Sequence, residues 1–119
     1  MNDRKSKIIS KLRNRGAPYI CRIVIGDQEF DDLTRTFEEI CEERELKFVL
    51  LPPMFPMEKN KLKHAIMNHV DFPGKIVMLS KTDWLPHHET VTSVLGSNMY
   101  LFIVHTRGKD SRFVWEVIK

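Results

Sequence analysis

Residues 19–51 read YICRIVIGDQEFDDLTRTFEEICEERELKFVLL, and the reading of this stretch decides the fold. Ile23, Val24 and Ile25 form a β-branched apolar run that stops at Gly26-Asp27, where a turn and a helix start are both favoured. Phe30, Leu33, Phe37, Ile40 and Cys41 follow, mostly at intervals of three and four, which places them on one face of a helix. Lys47 to Leu51 restores a short apolar run. Strand, helix and strand in this order predict two parallel strands joined by a crossover, because parallel neighbours need a connection of a dozen or more residues.

Working outward, Asn2 or Asp3 can cap a first helix that runs to about Arg15, with Ile8, Ile9 and Leu12 as a narrow apolar stripe and Gly16 as its stop. Ala17-Pro18 leads into the first strand, which only Arg22 interrupts. On the other side, Pro52-Pro53-Met54-Phe55-Pro56 is expected to end the second strand, since proline donates no ladder hydrogen bond. A third helix is predicted from about Met57 to Val70, with Leu62, Ala65, Ile66 and either His69 or Val70 on its buried face. After the turn Asp71-Phe72-Pro73-Gly74, Ile76 to Leu79 reads as a strand buried on both faces. Pro86 starts a short helix stopped by Gly96, Asn98 to His105 is a fourth strand, and Phe113 to Ile118 is a fifth. The turn signal Gly108-Lys109-Asp110 between the last two predicts an antiparallel hairpin at the end of the chain.

These elements describe an α/β protein: a three-layer α/β/α sandwich with a mostly parallel sheet of about five strands and a C-terminal antiparallel hairpin. At 119 residues the chain has the length of one domain, and no repeat or linker divides it, so residues 1–119 are read as a single α/β domain with a basic N-terminal helix at about 3–15.

Composition narrows the class. Hydrophobic residues make up 42% of the chain, the formal charge is +3 and the pI is near 9.0, values that suit a globular protein with an acidic or nucleic-acid partner without requiring one. The distribution of charge is more telling. Arg4, Lys5, Lys7, Lys11, Arg13 and Arg15 crowd the first helix, whereas Glu29, Asp31, Asp32, Glu38, Glu39, Glu42, Glu43 and Glu45 crowd the crossover helix. The two can neutralise each other within the molecule, or the same polarity can drive association between molecules. Cys21 and Cys41 stand far from any CxxC or metal-ligand spacing and read as small buried hydrophobes, which favours a reducing, cytoplasmic setting. No apolar run approaches the roughly 20 residues that span a bilayer, so no membrane partner is expected.

In an open parallel sheet, ligands bind beyond the carboxyl ends of the strands. Asp27, Lys81, Asp83 and His105 fall there and are the weak catalytic candidates; the carboxylates and the imidazole suit acid–base work, and Lys81 with Arg107 suits a phosphate. Helix capping explains Asp27 and Asp83 equally well. Ser80-Lys81-Thr82-Asp83 resembles the guanine-recognition motif of GTPases, Asn or Thr, Lys, any residue, Asp, departing from it at Ser80. That resemblance would imply GTP, but no GxxxxGK[ST] loop accompanies it, and GDQEFDD after the first strand sets carboxylates where phosphates would lie. His87 and His88 are adjacent and His64 and His69 five apart, neither being the i, i+4 pair of a helical zinc site, and no GxSxG elbow occurs. No cofactor and no metal is expected.

The leading expectation is therefore a non-enzymatic binding or regulatory protein that docks on a protein or nucleoprotein partner through segregated basic and acidic helices. Its contact residues are Arg4, Lys5, Lys7, Lys11, Arg13, Arg15, Glu38, Glu39 and Glu42, with Met54 and Phe55 as an apolar contact in the proline loop. Two other classes stay open: a small enzyme acting on a nucleotide or phosphorylated substrate at the strand rim, and an oligomeric scaffold subunit that associates through its C-terminal edge strand.

Overall fold

The computed structural model describes residues 3–54, 59–82, 93–108 and 114–117. Helix α1 (Asp3–Asn14) precedes strand β1 (Tyr19–Ile25); a 3-10 turn (Asp27–Glu29) opens helix α2 (Phe30–Glu43), followed by β2 (Lys47–Met54), α3 (Lys59–Met67), β3 (Ile76–Thr82), β4 (Met99–Thr106) and β5 (Val114–Val117). The strands form one sheet in the order β2-β3-β4-β1-β5, with β2, β3, β4 and β1 mutually parallel.

The strands of the crossover unit, β1 and β2, are parallel members of one sheet, not neighbours: β3 and β4 lie between them. Leu33, Phe37, Ile40 and Cys41 are the buried face of α2, joined by Thr34 and Thr36, whose hydroxyls donate to the carbonyls of Phe30 and Asp32 at 2.9 Å. Such back-bonding lets a β-branched polar residue lie buried in a helix without leaving its hydroxyl unpaired. The helix ends in a Schellman turn: Leu46 N–H donates to Cys41 O at 2.8 Å while Glu45 takes a left-handed conformation (φ 57°).

Apolar side chains cover both faces of the sheet. On one, Cys21, Ile23, Ile25, Val77, Leu79, Phe102 and Val104 pack with Ile8 of α1 and with Leu33, Phe37 and Ile40 of α2. Phe37 is central there, its ring 4.8 Å from that of Phe102 and 6.5 Å from that of Phe48. On the other face, Ile20, Ile76, Met78, Met99, Leu101 and Ile103 pack with Leu62 and Ile66 of α3. The period-two alternation of strand side chains sorts each strand between the two clusters. Ile76 to Leu79 of β3 and Met99 to Val104 of β4 are buried at every position for that reason, both faces of these stretches being covered.

Three expectations are corrected. The C-terminal hairpin does not form: β5 runs antiparallel, but its partner is β1 (Ile23↔Trp115, Arg22↔Glu116) and not β4, so the connection after β4 passes the end of β1. The proline pair does not end β2, which continues to Met54 with a register irregularity between Leu51 and Met54. Because β2 is an edge strand, a proline there can face away from the ladder, and the irregularity absorbs the missing donor. α3 is shorter than predicted, with His69 and Val70 already in a turn that leads to Phe72; the expected start at Met57 lies outside the described residues. The helix expected from Pro86 also lies largely outside them, as does Phe113.

Candidate functional site

The rim expected from the topology is the set of carboxyl ends of β1, β3 and β4. Immediately after β1, Arg107 N–H donates to Ile25 O at 2.9 Å and Asp27 N–H donates to Gly108 O at 2.8 Å, which ties the exit of β4 to the exit of β1. Gly26 N–H, the first donor beyond the strand, is met at 2.9 Å by the carboxylate of Glu29, and Glu29 is paired in turn with the guanidinium of Arg4. A phosphate loop works by aiming backbone N–H groups at its ligand. Here the chain's own carboxylate, neutralised from α1, takes the first of those donors.

The three described rim candidates do not converge. Asp27 is exposed in the 3-10 turn. Lys81 lies on the α2 side of the sheet, its Nζ 5.0 Å from the centre of the Phe30 ring, where a cation meets the negative face of the aromatic. His105 has the opposite parity on β4 from Val104, which packs on the α2 side, and so belongs to the α3 side, where it is 4% exposed. Asp83 lies outside the described residues. The sequence placed these residues at one end of the sheet; the pleat puts Lys81 and His105 on opposite faces of it.

Two residues of the α3 side, Arg22 and Ser80, were not among the site candidates of the sequence. Ser80 is 1% exposed, and its Oγ has no hydrogen-bond partner among the described residues; burying a hydroxyl in that state costs about 1–3 kcal/mol. Arg22 is half-buried, and its Nε is closed off from solvent. Register sets both beside Ile103, Ser80 from β3 and Arg22 from β1. The signal in the sequence was a single polar residue inside each of two apolar runs, YICRIVI and IVMLS.

The charged helices are partly committed to each other. Lys5 Nζ lies 3.0 Å from the Glu43 carboxylate and 3.8 Å from that of Glu39, and Arg4 pairs with Glu29. Thus Arg4, Lys5 and Glu39 serve the contact of α1 with α2 and its 3-10 turn. Lys7, Arg13 and Arg15 are exposed, Lys11 is half-buried, and Glu38 and Glu42 are exposed on α2. The carbonyl of Arg15 accepts a hydrogen bond from Tyr100 Oη at 2.8 Å, which anchors the end of α1 to β4. Met54 is the last residue of β2, and Phe55 lies outside the described residues.

Cys21 and Cys41 are both free thiols in the α2-side core. Burial pushes the Cys41 thiol up to about 12, so it is no nucleophile at neutral pH. Among the described residues, no group of three or more His, Cys, Asp and Glu is placed to hold a metal ion, and no helix is long and apolar enough to cross a membrane. The fold and this rim define a mixed α/β protein with a mainly parallel sheet. No family model, no curated protein and no solved structure matches the chain.

Proposed function

We propose that this chain is a three-layer α/β/α binding or regulatory protein of the cytoplasm, which docks on a protein or nucleoprotein partner through the charged outer surfaces of α1 and α2 and catalyses no reaction. The observation that carries this reading is the divergence of the rim: Lys81 and His105 occupy opposite faces of the sheet, and Glu29 takes the Gly26 N–H that a phosphate would need. The layered build is supported by the two core clusters, one containing Ile8 and Phe37 from helices α1 and α2, the other Leu62 and Ile66 from α3.

Arg4 and Lys5 pair with acidic groups of α2 and its 3-10 turn, while Lys7 and Lys11, with Arg15 one further turn on, are spaced by four along α1 and its extension, where Arg15 N–H still donates to Lys11 O at 2.9 Å. Residues spaced by four stack along one side of a helix, so these three make a row that suits successive phosphates or the carboxylates of an acidic protein.

The test is charge reversal of that row, Lys7→Glu, Lys11→Glu and Arg15→Glu together, followed by capture from the native host with protein and nucleic-acid identification of what is retained. The wild-type chain is expected to retain a partner that the reversed chain loses. Retention unchanged by the reversal sinks the role of α1, and a gel shift at low salt that fails with both DNA and RNA removes the nucleic-acid form of the reading.

A further inference from the structure

The ladder groups of the edge strand β2 can be assigned one by one. Lys47 aligns with Ile76 and its N–H donates to Lys75 O at 3.3 Å, so the N–H and C=O of Lys47, Val49 and Leu51 turn toward β3. Main-chain groups alternate sides along a strand, and those of Phe48 and Leu50 therefore point out of the sheet, where β2 has no neighbour. Pro52 belongs to the same outward set and brings no donor, which closes that end of the open stretch. Charged side chains, above all lysine, are the usual guard of such an edge. Lys47 is engaged elsewhere, its Nζ 4.5 Å from the centre of the Phe72 ring. On the α2 side of the strand, Phe48 stacks on Phe37, whereas Leu50 is 49% exposed.

The charge beside this edge decides what fits it. Lys5 of α1 pairs with Glu39 and Glu43, and the end of α1 is tied to Tyr100 of β4, so α1 lies along the flank of α2 that faces the middle of the sheet. Glu38, about 100° round the helix from Glu39, lies on the other flank, toward β2. Glu38 and Glu42 are exposed and enter no ion pair among the described residues. A second copy joined edge to edge about a two-fold axis would set its own Glu38 and Glu42 on the same face, like charge beside like.

We propose that the β2 edge receives an extended segment of a protein partner, paired antiparallel with Phe48 and Leu50 and carrying lysine or arginine on the side that faces α2. Only an extended chain matches outward donors and acceptors at every second residue. The alkyl stem of a basic side chain covers Leu50 while its head reaches the carboxylates of α2. The proposal rests on the docking reading for the acidic face of α2 and adds the sheet edge to it.

The probe is a short capped peptide of alternating lysine and valine, titrated into the full chain and followed by amide chemical shifts. Saturable shifts centred on Phe48 to Leu51 are expected, with slowed exchange of the Phe48 and Leu50 amides. A peptide with glutamate for lysine should not bind. N-methylation of the lysine amides, which face Phe48 and Leu50 in the antiparallel register, should abolish binding, whereas simple charge attraction would survive it. Leu50→Lys and Glu38→Lys, both at exposed positions, should each weaken binding roughly tenfold or more. Met67→Gln, at an equally exposed apolar position on α3, should leave it unchanged. The proposal is overturned by the absence of saturable shifts, by equal affinity in wild type and Leu50→Lys, or by undiminished binding of the N-methylated peptide. Concentration-dependent shifts at Phe48 and Leu50 in the chain alone would overturn it too, since the occupant would then be a second copy. Failure here while reversal of the α1 row still releases a host partner leaves the docking reading standing; a wild-type chain that retains no host partner sinks that reading by itself.

Discussion

Single side chains here act through burial more than through charge. Cys41 shows how: the thiol is displaced upward because a thiolate would be stripped of water in the α2-side core. A pKa of 9.0 in the unfolded chain and about 12 in the native one means that the unfolded state releases its proton first as pH rises. The contribution is thus intact below about pH 9 and is lost progressively between 9 and 12, amounting to about 2 kcal/mol by roughly pH 10.5. Urea denaturation at neutral pH and near pH 10.5 should show wild type losing more stability than Cys41→Ala by about that difference; equal losses would refute the assignment. At neutral pH, native Cys41 should also resist a thiol reagent until the chain is unfolded. Tyr100 is a second case, buried and tied by its hydroxyl to Arg15 O. Tyr100→Phe should cost about 1 kcal/mol and loosen the end of α1, seen as faster amide exchange after Lys11 with the sheet unaffected.

At the scale of elements, the ends carry the tension. α2 closes with Glu45 in the left-handed region, a conformation that costs a residue with a Cβ roughly 1–2 kcal/mol and glycine almost nothing. Its carboxylate also sits at the negative end of the helix dipole. Glu45→Gly is accordingly expected to stabilise the protein by about 0.5–1 kcal/mol, read as a rise of several degrees in the thermal midpoint; a fall would show that the turn is held by the side chain itself. The turn at Phe72 to Gly74 is secured differently, by Asn98 Nδ2 donating to the carbonyls of Phe72 and Gly74. α2 itself was legible in advance because its spacing is local. The extension of β2 through Pro52 was not, because a proline in a strand is tolerated only at an edge, and edge position is a property of the sheet.

For the whole molecule, the strand order sets the hierarchy of stability. β4 and β1 lie inside the sheet, with a partner on each side, and β3 is enclosed between β2 and β4, whereas β2 and β5 are edges. Amide exchange should be slowest in Leu79, Leu101 to Val104 and Ile23, and faster in β2 and β5. Uniform protection across all five strands would contradict that order. Ending the chain before Val114 would bare the ladder of β1, and light scattering should then report concentration-dependent association that the full chain does not show. The sequence anticipated the neutralisation of α2 by α1, since opposite charges on successive helices invite it; which cations would be used, Arg4 and Lys5, depended on how the helices cross. Among the rim candidates, only the end of the sheet was legible. The separation of Lys81 from His105 follows from the parity of two different strands and their register, which no single run of residues contains.

By itself the sequence determined the mixed α/β character, the crossover unit, the burial of both cysteines and the polarity between the first two helices, because each of these follows from spacing, turn chemistry or composition within a few residues of chain. Only the tertiary structure decided that β5 joins β1 and not β4, that Glu29 meets the Gly26 N–H beyond β1, and that Arg22, Ser80 and His105 share one face of the sheet. These are choices between strands distant in sequence. They are settled by register and by which layer covers each face, and the local pattern of any one strand is compatible with more than one outcome.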